Sequence, residues 1–430
     1  MRILTYSPTT KATVLSALQR PTRDFAAYRR QVAPILDAVR REGDAALLRL
    51  SKQFDGVEPV SIRVPAAEMR RALDTLPAEL RQSLETAQAG ITRFHRQETP
   101  AEEPIETRPG VCCWRETRAI ESAGLYVPGG TAPLVSTVLM LGIPALTAGV
   151  PCIALCTPPG KDGRVPDAIL AACAMIGIED VFAVGGAQAI AALAYGTQTV
   201  PKVAKIAGPG NVYVAAAKAE VSVDPDGAAI DMLAGPSELL VVADDSARPE
   251  SVAADMLSQA EHDRQSQVVL VTTSAAMLDR VQAELERQVA TLPRREIATA
   301  ALANSVAVVV ESLGVAAELV NDYAPEHLSI QTERPEEVLA RVRNAGSVFL
   351  GPFSPEAVGD YSSGTNHVLP TSGVARVQGG VSVRTFQKTL TVQRLSPDGL
   401  RSLADATTAL ARTEGLEAHA RAVDIRLSQL

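Results

Sequence analysis

Aromatic residues make up only 3% of this 430-residue chain, with a single Trp. A core built on large rings is therefore excluded, and Ala, Val, Leu and Ile must fill the interior. Cysteine is scarce as well. The five present, Cys112, Cys113, Cys152, Cys156 and Cys173, are odd in number and form no C-x-x-C. That argues against a disulfide scaffold and for a reducing compartment. Each thiol reads more simply as a small buried hydrophobe or a free thiol than as a nucleophile. Positive charge is not in excess. The net charge of −8 excludes the usual nucleic-acid binder and the basic membrane-surface protein. No G-x-S-x-G, P-loop or H-E-x-x-H occurs, which disfavours a serine hydrolase, a P-loop NTPase and a zincin. The opening MRILTYSPTTKATVLSALQR lacks a signal-peptide core and a small-residue cleavage pattern. One stretch, Thr131 to Gly160, contains no charge at all. Gly142, Pro144, Gly149 and Pro151 cut it into pieces too short to span a bilayer. It is expected to form a buried helix, a turn and a strand. A soluble, cytoplasmic protein is expected, with no nucleic acid and no membrane as partner.

What is present is a globular composition, 46% hydrophobic and 21% charged, long enough for two or three domains. Residues 24–96 repeat apolar positions at helical spacing, with Gly43 as a break and Leu73, Leu76, Leu80 and Leu84 as a second stripe. These faces are core. His95 has no chemical partner nearby in sequence and reads as a surface or packing residue. From Val150 short apolar strands alternate with helices of ten or more residues, through VPCIALCTPP, VFAVGG and KIAGPGN. A second series opens at LLVVA and continues through QVVLVTT, SVAVVVE and SVFLG. That pattern predicts an α/β fold with two parallel sheets, each covered on both faces. Beyond Leu390 the pattern returns to helix.

Three constellations could carry chemistry. The first is Glu326–His327 in NDYAPEHLSI, followed by Asp360 and His367 in GDYSSGTNHVLP. A carboxylate beside an imidazole is a ready pair of bases, although such pairs also occur in plain solvated loops. The second is Gln259 and His262, three apart near the end of a predicted helix and so on one face. Joined by Asp360 and His419 they would offer two oxygens and two nitrogens to zinc or another first-row cation. Glu414 and His419 lie on the last helical pattern, whose plainer reading is a solvated face. The third is a pair of strand-to-helix turns, VGGAQA with Gln188 and GPGNVY with Asn211. Tyr213 stands where a dinucleotide fingerprint needs its last glycine, so the motif fails. Both turns still present helix amides to an anion, if they are not simply tight turns.

The longer motifs, in order, are GLYVPGGTAPL, VGGAQAIAALA, KIAGPGN, DGAAIDMLAGPSELLV, DMLSQAEH, YAPEHL, AGSVFLGPFSPEAVGDYSSGTNHVLPT, FQKTLTVQ and EGLEAHARA. Together they resemble the histidinol dehydrogenase family over nearly the whole chain. The resemblance implies an NAD-dependent alcohol and aldehyde dehydrogenase of histidine biosynthesis. It would oxidise L-histidinol to L-histidine through L-histidinal, with two NAD. It implies one zinc per subunit, bound by Gln259, His262, Asp360 and His419. It implies Glu326 and His327 as the acid–base pair. Substrate contacts would come from Ser237, Gln259, His262, His327, Asp360, His367, Glu414 and His419. NAD would touch Tyr126, Gln188 and Asn211. The fold implied is two incomplete Rossmann-like, doubly wound domains in an intertwined homodimer, with His419 and Glu414 entering the partner's site. The division would be 1–22 as an N-terminal extension, 23–125 with 235–375 as one domain, 126–234 as the second, and 376–430 as a dimerisation extension. Competing readings are a relative acting on another amino alcohol, a zinc hydrolase or deaminase with Glu326 activating water, and a non-catalytic metal-binding protein.

Overall fold

The computed structural model describes residues 1–20, 24–97, 103–129 and 134–430; Gly130–Pro133 of the GLYVPGGTAPL motif lie outside the described residues. Two parallel sheets carry most of the chain. The larger has six strands, in the order Arg2–Thr5, Val306–Val309, Gln267–Thr272, Glu238–Ala243, His327–Gln331 and Ser347–Leu350. The smaller has five, ordered Asp180–Ala183, Cys152–Thr157, Ser122–Tyr126, Lys205–Ala207 and Ala229–Ile230. Counted along the chain from Glu238, the larger sheet runs 3-2-1-4-5, with Arg2–Thr5 added beside its third strand. The smaller sheet also runs 3-2-1-4-5. Each has a point where the strand order reverses, and crevices form there.

Alternation explains the larger sheet. Leu240 and Val242 join Val269, Val271, Leu328 and Ile330 in one core cluster. Leu239, Val241 and Ala243 join Val268, Leu270 and Ala307 in another. Successive residues of each strand point to opposite faces, so a strand buried on both sides must be apolar throughout. Residues 239–243, LLVVA, meet that demand, and Glu238 before them is buried as well.

The N-terminal helices form where the pattern predicts, as Phe25–Glu42, Asp44–Phe54, Ala66–Asp74 and Ala78–His95. Gly43 breaks the first pair with φ +60°, a conformation that glycine adopts without strain. Val32, Leu36, Val39, Leu47 and Leu50 pack in the core of the five-stranded sheet, with Phe182, Ile190 and Leu193. His95 is buried. The charge-free stretch forms the helix Val135–Ala148, a left-handed turn at Gly149 and the strand Cys152–Thr157. Among the described residues no helix is long and apolar enough to cross a membrane.

The packing divides the chain differently from the expected boundaries. Arg2–Thr5 is an edge strand of the larger sheet rather than part of an extension. Residues 25–54 pack on the smaller sheet, because their apolar stripe meets its helices there. Ser122–Tyr126 is the centre of that same sheet. A separate compact unit joins Gln97–Ile120 to Gln387–Leu430. It holds the antiparallel strands Ile105–Arg108, Val111–Ala119 and Gln387–Leu395, then the helices Pro397–Thr413 and Glu417–Leu427. Helix returns only after a nine-residue strand that the sequence pattern did not predict.

Candidate functional site

At the amino ends of the neighbouring strands Glu238–Ala243 and His327–Gln331 of the larger sheet, Glu238 and His327 lie one register position apart. His327 is paired in register with Leu239. Glu326 immediately precedes the strand, and its Oε2 accepts a hydrogen bond from the Glu238 amide at 2.8 Å. The His327 Nδ1 lies 2.9 Å from Gln259 Nε2, 3.1 Å from the Glu238 carbonyl oxygen and 3.5 Å from Glu326 Oε2. When neutral, Nδ1 accepts from Gln259; when protonated, it donates to the carbonyl. On the other side of the ring Nε2 lies 3.5 Å from Asp360 Oδ1. The ring is stacked on Phe349, centroids 6.1 Å apart. The pair is thus a buried pair at a strand end, not a solvated loop.

The helix Pro249–Ala260 delivers Gln259, and His262 follows it directly. The short helix Glu356–Tyr361 carries Asp360. His367 closes the set: its Nδ1 pairs with the Asp360 carbonyl oxygen at 2.8 Å and its Nε2 with Thr137 Oγ1 at 3.3 Å. Surrounding protein lowers the pKa of His262, against the opposing charge of Asp360, although its side chain is exposed at the surface of this chain. Burial likewise lowers His367, against the charge of Asp360. Both shifts favour the neutral imidazole, the form that can ligate. Burial would raise Asp360, but its hydrogen bond to His327 and the charges of His327, His367 and His262 outweigh that and leave it lowered. Burial works against a charged His327, yet Glu326, Glu356 and Asp360 hold its proton well above the ordinary range. Burial raises Glu326, opposed by His327.

The donor set fits a divalent cation. Gln259 Oε1 is buried without a hydrogen-bond partner, and a buried polar atom left so is costly. Gln259 Oε1, His262 and Asp360 are an oxygen, a nitrogen and an anionic oxygen of the kinds zinc accepts. The three ligand atoms within 4.8 Å of one another, among the described residues, are those of His327, Glu356 and Asp360. Sequence reasoning missed Glu356. The available signal was its spacing, four residues before Asp360 on one helical face. Burial pushes its carboxyl up, which makes it the poorer ligand.

A second site lies at the carboxyl ends of the smaller sheet. A cavity of about 710 Å³ is lined by Tyr126, Gln188 and Asn211 together, with Phe54, Asp55 and Pro158 among its other walls. Its Pro158, Gly186, Gln188 and Asn211 walls each follow a strand, as the crevice rule for open α/β sheets requires, while Phe54 and Asp55 come from an N-terminal helix and its end. Tyr126 Oη accepts from the Gly186 amide at 3.0 Å. Asn211 caps its helix, with Oδ1 accepting from Tyr213 and Val214 amides. Gln188 Nε2 is buried and unpartnered. Ser237 sits just before Glu238, partly buried. Glu414 and His419 are exposed residues of the other compact unit.

Asp255, one turn before Gln259, was also not foreseen. Its Oδ2 accepts from Gln331 Nε2 at 3.1 Å and from Ser329 Oγ at 3.4 Å. Burial pushes its carboxyl from 3.8 up to about 6, against those hydrogen bonds. The folded chain therefore binds this proton more tightly than the unfolded chain does. Its charge destabilises the fold increasingly as pH rises from about 4 to about 6, and fully above that. Asp255→Asn should be more stable than the parent by roughly 1–3 kcal/mol near neutrality, with the gain vanishing below the window. Urea unfolding of both proteins at the two ends of the window measures it; a pH-independent difference would rule out the buried charge as cause.

The histidinol dehydrogenase family profile matches residues 18–427. The chain is 52% identical over 399 residues to the histidinol dehydrogenase of Vibrio parahaemolyticus, covering 93% of this chain and 92% of that protein. It is 50% identical over 428 residues to that of Xanthomonas axonopodis pv. citri, covering 99% of each. The crystal structure of the histidinol dehydrogenase from Elizabethkingia anophelis superposes with a TM-score of 0.96 at 44% identity, covering 100% of this chain and 98% of that one. Its parallel sheets and helices are those described above, and with matches of this extent the chain belongs to the histidinol dehydrogenase family.

Proposed function

We propose that this chain oxidises L-histidinol to L-histidine through L-histidinal, using two NAD and one zinc ion per subunit. The observation that carries the reading is the buried convergence of Glu326, His327, Gln259 and Asp360, with His262 and His367 beside them. Gln259, His262 and Asp360 would hold the cation, with the partner subunit's His419 as the fourth ligand. Bound there, zinc supplies a Lewis-acidic centre that grips the imidazole and amine of the substrate and orients it. With Asp360 engaged as a ligand, part of the negative charge that holds the His327 proton is neutralised, and the imidazole moves toward its ordinary range. His327 then accepts the alcohol proton as hydride leaves carbon for the nicotinamide. Once His327 has released that proton to solvent, Glu326 would take a proton from the water that adds to the aldehyde, and His327 would take the hydroxyl proton of the hydrated aldehyde as the second hydride departs to a second NAD. Ser237, His367 and Glu414 would complete the substrate contacts. The two sheets would be Rossmann-like bodies, with NAD in the cavity lined by Tyr126, Gln188 and Asn211. The unit containing residues 387–430 would exchange between subunits of a homodimer.

A zinc hydrolase or deaminase would use the same metal set without NAD. Purified protein given zinc, NAD and L-histidinol should form two NADH for each L-histidine, and a chelator should stop it. Turnover without NAD, or one NADH per product, would overturn the reading. Mixing inactive His262→Asn and His419→Asn proteins under subunit exchange should restore some activity. No recovery after verified exchange would place the whole site within one chain.

A further inference from the structure

Glu238 lies among the catalytic groups, yet its carboxylate faces away from them. Its backbone does the contacting. The amide donates to Glu326 Oε2, and the carbonyl oxygen receives Gln259 Nε2 at 3.2 Å and meets His327 Nδ1 at 3.1 Å. The orientation of one peptide strand end therefore sets the positions of three site residues. That strand end is held by the Glu238 side chain, which Arg20 grips in a two-pronged contact, Nε to Oε1 at 2.5 Å and Nη2 to Oε2 at 2.7 Å. The Ser372 amide adds a third bond to Oε1 at 2.8 Å.

Arg20 also reaches the other half of the site. Its Nη2 donates to the carbonyl oxygens of Tyr323 at 2.9 Å and Ala324 at 3.3 Å, and its guanidinium lies 3.9 Å from the Tyr323 ring centroid. Ala324 has φ +53°, a strained conformation for a residue with a Cβ, and only Pro325 separates it from Glu326. One guanidinium thus ties the strand end that aligns the pair to the turn that presents it. A buried ion pair gives little net stability by itself, so what it fixes is the better account of its presence. Lysine could not replace it in kind, because an ammonium has no planar fork to meet carboxylate and carbonyls together.

We infer that Arg20 is a positioning residue for Glu326 and His327, acting through Glu238 and the Ala324 turn. It rests on the function proposed above for its kinetic readout, but not for its structural one. Arg20→Lys and Arg20→Met should each lower kcat for histidinol oxidation by about 10- to 100-fold, the scale of a misplacement near 1 Å. Lysine should retain more activity than methionine. KM for NAD should stay within about twofold, since the cavity is lined by other residues. Hydrogen exchange of segments 237–243 and 321–331 should quicken in both variants. Where Arg20→Met fails to fold, Arg20→Lys decides. An unchanged kcat in the folded lysine variant, or unchanged exchange in both segments, overturns the inference. If the parent protein makes no NADH from histidinol, the functional reading has failed instead, and the exchange result alone confirms or refutes the positioning role.

Discussion

Glu326→Gln should slow oxidation of L-histidinal by about 10²- to 10⁴-fold, the usual contribution of one general base, while L-histidinol oxidation falls less than about tenfold. The structure makes the substitution a clean one. Glu326 is buried, and its Oε2 accepts from the Glu238 amide, a bond that an amide carbonyl oxygen can also accept. Shape and anchoring are therefore kept while the base is removed. Burial raises the Glu326 carboxyl against the pull of His327, which brings it nearer the range where a base is useful. His327→Asn should impair both half-reactions, because both need its nitrogen. The two steps are separated by feeding the aldehyde directly and following NADH in a single turnover. Equal losses from Glu326→Gln in both steps would remove water activation from its role.

Much of this arrangement was legible in the sequence, and the parts that were not have physical reasons. The strands around LLVVA and VVLV announce themselves because burial on two faces requires apolar runs. Gln259 and His262 read as a pair because helical spacing puts residues three apart on one face. The strands Val111–Ala119 and Gln387–Leu395 gave no such signal, since much of their surface is exposed and polar residues sit on both faces. Arg2–Thr5 is a four-residue edge strand, too short for a period to show. Glu238, Glu356 and Asp255 were passed over for another reason. Each is an acidic residue in an apolar helix or strand, and what it does depends on contacts 21 to 218 residues away along the chain. Sequence spacing reports local faces; it cannot report which carboxylate a distant arginine will grip. The placement of Glu326 and His327 was likewise not legible, because they lie at the amino ends of the larger sheet while the cavity lies at the carboxyl ends of the smaller one.

Lys218 marks the same limit and carries the largest expected loss of stability. In sequence it is one cation in the helical run VYVAAAKAEV; in the structure it is fully buried, with Asp231 as its ion-pair partner. Lys218 Nζ also donates to the Gly208 carbonyl oxygen at 2.9 Å. Asp231 Oδ2 accepts from the Gly208 amide at 2.8 Å, and Oδ1 from the Met232 amide at 2.6 Å. The pair thus holds both backbone groups of Gly208, the residue that opens the turn leading to Asn211. Gly208 has φ +129°, and a Cβ there would lie 2.2 Å from the Tyr126 carbonyl oxygen, so only glycine fits at this close approach. Asp231→Leu should therefore cost about 3–5 kcal/mol, because it leaves an ammonium buried without a counter-charge. Lys218→Met should cost a similar amount by stranding the carboxylate. The double variant should lose clearly less than the sum, since neither charge then remains to be desolvated. Urea unfolding of the four proteins closes the cycle. Additive losses would mean that the two groups act separately, and that the turn beside the cavity is held by something other than their pairing.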